Sequence, residues 1–120
     1  MEFFEAPVFT RHLRDYLKDE EYSSLQSLLA QNPELGDVMP GTGGFRKLRW
    51  ADQRRGKGRR GGLRIIYYHF PAQQLIWLMT LYGKNEADDL TAAEKSALRN
   101  AIAAESAARA LKKPRKPRTK

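Results

Sequence analysis

The chain has 120 residues, of which 41% are hydrophobic, 30% charged and none cysteine, a size that fits one compact domain and leaves no room for a second. The absence of cysteine excludes a disulfide framework and a thiol nucleophile, and with His12 and His69 as the only imidazoles it also excludes a structural zinc site. The net charge of +8 is concentrated: residues 1–44 carry three bases against eight acids, residues 45–64 nine bases against Asp52 alone, residues 65–111 four bases against five acids, and residues 112–120 six bases with no acid. The central block can form an organised phosphate-binding surface, whereas the Pro-punctuated end cannot bury enough apolar area to fold. A domain over residues 1–111 and a disordered basic tail over residues 112–120 are therefore expected.

No apolar run approaches the roughly 20 residues of a membrane span. Residues 1–5 lack the basic start and apolar stretch of a signal peptide, so a cytoplasmic protein without a membrane partner is expected.

In chain order, Glu2 to Phe9 is rich in aromatic and β-branched residues and reads as a first strand, with Pro7 marking an edge or the strand's end. Thr10 is positioned to cap a short helix over Arg11 to Leu17, where Leu13, Tyr16 and Leu17 share one face. Asp19 can cap a second helix, with Glu20 and Glu21 at its positive end and Tyr22, Leu25, Leu28 and Leu29 as its apolar stripe, until Asn32-Pro33 ends it. Gly36 to Gly44 holds four glycines and Pro40 and reads as a loop.

Phe45 to Trp50 then reads as a strand that places Phe45, Lys47 and Arg49 on one side and Arg46, Leu48 and Trp50 on the other. After a Gly/Arg/Lys loop over Gln53 to Gly62, Leu63 to Phe70 is the strongest strand signal, and a turn at Pro71-Ala72 leads to another strand over Gln74 to Tyr82. Three consecutive strands joined by turns predict an antiparallel meander. Thr91 and Glu94 form a capping box that opens an alanine-rich helix through about Leu111. The expected fold is α+β, in the order β-α-α-β-β-β-α: an antiparallel sheet, closed at one edge by the first strand, packed by the two amino-terminal helices, with a carboxy-terminal helix.

Arg64 is conspicuous because it lies within the apolar run Leu63 to Tyr68. A guanidinium there is costly to bury unless it pairs with an anion or stands at the mouth of a cleft; the alternative is an exposed arginine on a sheet edge. Tyr82 and Lys84 flank Gly83 where the last strand ends, and they read either as a stacking or proton-exchanging tyrosine with a phosphate-neutralising lysine, or as a core tyrosine with a solvated lysine. The loop Arg54 to Gly62 lacks the Gly-Lys-Ser/Thr ending of a nucleotide-binding P-loop. Its bases Arg54, Arg55, Lys57, Arg59 and Arg60 suit an RNA backbone instead. His12 is expected on a helix surface and His69 on the strand face opposite Arg64; neither has a carboxylate partner in a sequence motif.

The order of elements and several runs of residues resemble the RelE superfamily of bacterial toxins, specifically its HigB-type branch of messenger-RNA-cleaving toxins. The resemblance covers most of residues 3–105 and is carried by Asp19-Glu20-Glu21-Tyr22, Asn32-Pro33, Gly36-Asp37-Val38, Gly41-Thr42-Gly43-Gly44, Arg46-Lys47, Gly56-Lys57-Gly58, Arg60-Gly61-Gly62, Arg64-Ile65-Ile66-Tyr67-Tyr68 and Tyr82-Gly83-Lys84-Asn85-Glu86.

The resemblance implies a ribosome-dependent endoribonuclease that cuts messenger RNA in the ribosomal A site by attack of the ribose 2′-hydroxyl on the adjacent phosphodiester, and that a HigA-like antitoxin neutralises. Such a reaction needs an in-line nucleophile, cations around the developing phosphorane and groups that exchange protons; in principle it needs no metal or other cofactor. The implied catalytic set is Arg64, Lys47, Arg49, Lys84 and Tyr82, with RNA contacts from Arg46, Arg54, Arg55, Lys57, Arg59 and Arg60. Lys47 is a candidate general base, because Arg49 and Arg64 nearby would disfavour its charged form. RelE itself has an arginine right after the matching Gly-Lys and a tyrosine further on, where this chain has Asn85 and Leu90. Two other classes remain open: an RNA-binding module that does not cut, and a ParE-like toxin that shares the fold but poisons gyrase.

Overall fold

Residues 1–50, 62–83 and 90–112 are described by a computed structural model of the chain. They form β1 (Glu2–Glu5), α1 (Pro7–Tyr16), α2 (Asp19–Gln31), β2 (Asp37–Val38), β3 (Arg46–Trp50), β4 (Leu63–Phe70), β5 (Leu75–Gly83) and α3 (Ala92–Lys112). The fold is α+β, with three helices and a mixed five-stranded sheet among the described residues, in the order β1-β5-β4-β3-β2. The basic stretch over residues 113–120 lies outside the described residues, and Lys112 continues the backbone of α3.

The first strand is shorter than its composition suggests. Pro7 does not end an extended segment but opens α1, with Ala6 as the N-cap residue. A first-turn amide has no partner inside a helix, so a residue without an N–H loses nothing there, and its fixed φ is already helical. Thr10 is consequently inside the helix and not its cap; its amide donates to the Ala6 carbonyl at 3.0 Å and its hydroxyl to Glu5 Oε1 at 2.6 Å. In α2 the cap position is Lys18, one residue before Asp19, and its amide donates to Glu21 Oε1 at 2.8 Å. Asp19, Glu20 and Glu21 occupy the first turn, where the helix dipole favours negative charge.

The expected antiparallel sheet is corrected at one edge. The meander is present: β2 pairs with β3, β3 with β4 and β4 with β5, all antiparallel. The first strand, however, lies parallel to β5, with Glu2 to Glu5 in register with Leu75 to Leu78. The short-turn argument applies only to strands adjacent in sequence, and β1 reaches its partner from the other end of the chain. Its ends are fastened by the Glu2 amide to the Gln74 carbonyl and the Ala6 amide to the Leu78 carbonyl, both at 2.9 Å. The two-residue β2 lies inside the glycine-rich segment expected to be a loop, opposite Arg46 and Lys47.

Alternation along β4 separates two cores. Leu63, Ile65 and Tyr67 pack with Phe9 and Tyr16 of α1 and with Leu25 and Leu29 of α2, while Ile66 and Phe70 pack with Phe45, Trp77 and, from α3, Leu98 and Ile102. The amino-terminal helices thus cover one face and α3 packs back on the other. The expected capping box is formed: the Thr91 amide donates to Glu94 Oε1 at 2.7 Å and the Glu94 amide to Thr91 Oγ1 at 3.1 Å. Docking of α3 also depends on Gly43, whose φ is +80° and whose α-carbon faces Ile102 so closely that an added Cβ would lie 2.8 Å from Ile102 Cγ2. No helix among the described residues is long and apolar enough to cross a membrane.

Candidate functional site

The three middle strands bring the sequence-predicted cations together by register. Arg49 of β3 stands directly across from Arg64 of β4, which stands across from Tyr82 of β5. Lys47 is in the adjoining row, opposite Ile66. Because residues paired across strands point to the same face, Lys47, Arg49, Arg64 and Tyr82 share the α3 side of the sheet. Neighbouring strands are ~4.8 Å apart, so such side chains can converge on one phosphate.

Tyr82 reaches this face only because of a bulge. Ile66 pairs with Thr80, yet the next residue, Tyr67, pairs with Leu78, leaving Met79 as an extra residue. A bulge reverses the alternation beyond it. Leu78 therefore packs toward α1 and α2, whereas Tyr82, four residues on, packs with the α3-side cluster.

Arg64 is the unusual member of the row. It is only 3% exposed, and its Nε and Nη1 are buried without a hydrogen-bond partner among the described residues. Buried polar atoms are nearly always satisfied, and a buried charge is costly unless paired. Both donors belong to a planar, permanently charged guanidinium, a group suited to oxyanions. Arg49 beside it is exposed and Lys47 half-buried.

Arg46 is on the other face. Its Nη1 donates to the carbonyls of Gly36 at 2.8 Å and Glu34 at 3.2 Å, and its Nη2 lies 3.9 Å from Glu34 Oε1. Its guanidinium is thereby engaged in holding residues 34–36. Tyr67 completes that clasp from below: its hydroxyl accepts from the Gly36 amide at 2.9 Å and donates to the Pro33 carbonyl at 2.8 Å. Burial is the main cause that pushes the Tyr67 hydroxyl above its ordinary pKa. A side chain at Gly36 would meet the Lys47 main chain and the Tyr67 ring at 3.0 Å, so the fit requires glycine. A comparable clasp ties β1 to the helices, where Glu5 accepts from Tyr22 at 2.5 Å and from Thr10 at 2.6 Å. Burial, followed by Glu5, raises the Tyr22 pKa.

Lys84 and the bases Arg54, Arg55, Lys57, Arg59 and Arg60 lie outside the described residues. Both histidines have carboxylate neighbours: His12 Nδ1 is 3.8 Å from Asp15 Oδ2, three residues on in α1, and His69 Nδ1 is 3.8 Å from Glu34 Oε2, which is remote in sequence. Among the described residues no group of three or more histidine, aspartate and glutamate side chains is arranged to hold a metal ion.

Sequence reading alone missed a groove of about 420 Å³ along the outer side of β3, with Trp50, Leu28 and Leu35 as apolar walls and Lys47, Arg49 and Asp37 as its polar members. Leu28 reads from sequence as part of a helix stripe, and Leu35 belongs to no predicted element. Nothing local marks such a groove, because it exists only where α2, the clasped turn and the strand edge meet. No protein-family model matches this chain.

Proposed function

We propose that this protein is a HigB-like toxin of the RelE superfamily, a ribosome-dependent endoribonuclease that cleaves messenger RNA in the ribosomal A site by 2′-hydroxyl attack on the phosphodiester. The observation that carries the reading is Arg64: a buried guanidinium with two donors unmatched among the described residues, in register with Arg49 and Tyr82 and one row from Lys47. In this reading Arg64 donates to a non-bridging oxygen as charge develops on the phosphorane. Its donors are already desolvated and held by the sheet, so they need no reorganisation at the moment of reaction. Arg49 neutralises the same phosphate from the exposed side. Lys47 accepts the 2′-hydroxyl proton as general base. Tyr82, across from Arg64, stacks on a base or passes a proton to the leaving 5′-oxygen, and Lys84 adds positive charge near the phosphate.

Binding to the ribosome draws on Arg54, Arg55, Lys57, Arg59 and Arg60, whose contacts with ribosomal RNA weaken as salt rises. The natural inhibitor is a HigA-like antitoxin that covers or neutralises this cationic face. Primer extension on messenger RNA after brief induction tests the reading. Codon-phased cuts are expected from the wild type, with a loss of about 10²–10³-fold in Arg64→Ala, the size of one preorganised donor. Intact messages accompanied by DNA damage would point to gyrase, and ribosome binding without cuts would point to a non-catalytic RNA-binding module.

A further inference from the structure

We infer that the groove along the outer edge of β3 takes one base of a single-stranded RNA, stacked on Trp50, while the adjoining phosphates meet Lys47 and Arg49. This inference rests on the RNA-directed reading above and adds a base-binding subsite to it.

Four observations converge. First, β2 covers β3 only opposite Arg46 and Lys47, so the outer main chain of Leu48 to Trp50 has no strand partner among the described residues. A strand edge offers alternating N–H and C=O groups in a line, which suits the hydrogen-bonding edge of a base. Second, the walls are apolar and partly uncovered: Trp50 and Leu28 are half-buried and Leu35 is 37% exposed. A stacked base would cover this surface, and aromatic platforms of this kind are the usual means of holding unpaired bases. Third, the groove volume of about 420 Å³ falls in the ~300–1,000 Å³ range of small-ligand sites. The clasp of Tyr67 and Arg46 on residues 33–36 keeps that wall preformed.

Fourth, the charges are divided by the strand. Trp50 and Leu48 belong to the α2 side, whereas Lys47 and Arg49 rise on the side of Arg64. A nucleotide lying across the edge would place its base against Trp50 and direct its phosphate toward the Arg49–Arg64 row. Asp37, which stands across from Lys47 and lines the groove, can only accept hydrogen bonds when ionised. It shares the Lys47 side of the strand, so the base preference comes from stacking on Trp50, which favours the larger purine face over uracil. The other occupant an open strand edge would suit, an extended acidic peptide, has no flat group to cover Trp50 by stacking.

The chain has two tryptophans, and Trp77 is buried in the α3-side core. In full-length Trp77→Phe protein the emission of Trp50 is thus a direct reporter. Titration with hexaadenylate is expected to give saturable quenching, hexauridylate to bind several-fold more weakly, and tripolyphosphate at matched ionic strength to leave the emission unchanged. Trp50→Leu should weaken binding of fluorescein-labelled hexaadenylate about tenfold, a typical loss for one stacked base. Should Trp77→Phe fail to fold, 5-fluorotryptophan in the unaltered chain provides the same test, with only the Trp50 resonance shifting on hexaadenylate.

Hexaadenylate that saturates the protein by anisotropy while Trp50 stays silent would overturn the subsite. So would equal quenching by tripolyphosphate, or quenching by a glutamate-rich peptide and not by oligonucleotide. The two readings fail separately: quenching by a protein that cuts no message would keep the groove and remove the ribonuclease, whereas codon-phased cutting with a silent Trp50 would do the reverse.

Discussion

The two faces of the sheet use their polar groups in opposite ways. On the α1 and α2 face the polar side chains hold structure: Tyr67 bonds both Gly36 and Pro33, Arg46 grips the same turn, and Glu5 joins Tyr22 to Thr10. On the α3 face Arg64 is equally deep, yet two of its donors meet nothing among the described residues. The difference teaches that burial by itself does not mark a functional residue. What separates Arg64 from Tyr67 is an unmet hydrogen-bonding capacity, which costs folding free energy and is expected where a ligand completes the site.

The strongest test of this contrast is Arg64→Met, which keeps much of the side-chain length and removes the charge. Cleavage should fall by about 10²–10³-fold. Stability should rise by about 1–3 kcal/mol in urea unfolding, because a buried guanidinium with two donors unmatched among the described residues is replaced by an apolar group. A variant that is both inactive and destabilised would show that Arg64 has a structural partner and would erase the difference between the faces.

Tyr67→Phe probes the opposite face. It strands the Gly36 amide and the Pro33 carbonyl, so it should cost about 2 kcal/mol of stability. RNA affinity should fall with it, since the turn it clasps is a wall of the groove. A loss below about 0.5 kcal/mol, half a typical net hydrogen bond, would mean that water replaces the hydroxyl readily and that the turn is not held from below.

Gly43→Ala addresses how firmly α3 covers the Arg64 face of the sheet. The left-handed φ and the 2.8 Å approach to Ile102 predict a cost of about 1–2 kcal/mol. Amide exchange should become faster in α3 while α1 and α2 stay protected. Uniform loss of protection in all three helices would show that the two cores unfold as one unit.

The smallest effect at neutral pH concerns the tyrosine hydroxyls. Tyr22 and Tyr67 have raised pKa values in the folded protein, both chiefly through burial, from an ordinary value of 10.0. Above that value the unfolded chain releases these protons while the folded chain retains them, so the unfolded state binds fewer protons and stability falls with rising pH. The contribution is complete below pH ~10 and is lost as pH climbs through the folded values. Melting temperature against pH from 8 to 11.5 should therefore drop more steeply above pH 10 in the wild type than in Tyr22→Phe. Parallel curves would show that Tyr22 ionises as freely in the fold as in the unfolded chain.

Local pattern determined much of this protein. The apolar stripe of α2, the three strands from Arg46 to Gly83, the Thr91–Glu94 capping box and the anomaly of a charged Arg64 in an apolar run are all visible as periodicity or as short-range chemistry. Alternation alone also grouped Lys47 with Arg49 on one side of their strand. These features depend on neighbours within a few residues, which a sequence states directly.

Tertiary structure decided what depends on distant partners. Pro7 is compatible with either a strand end or a helix start, and it became the start of α1 because β1 is fastened to β5, some 70 residues away, only as far as Ala6. The parallel pairing of β1 has no turn to announce it. Tyr82 joins Arg64 only through the bulge at Met79, which changes the face of every later residue in the strand. Arg46 and Lys47 are adjacent in sequence and alike in charge, yet one grips a turn and the other faces the candidate site, because a one-residue step in a strand is a change of side. The groove at Trp50 exists only where three separate segments meet, and whether a cation is satisfied or left for a ligand depends on which carbonyls the fold brings within 3 Å of it.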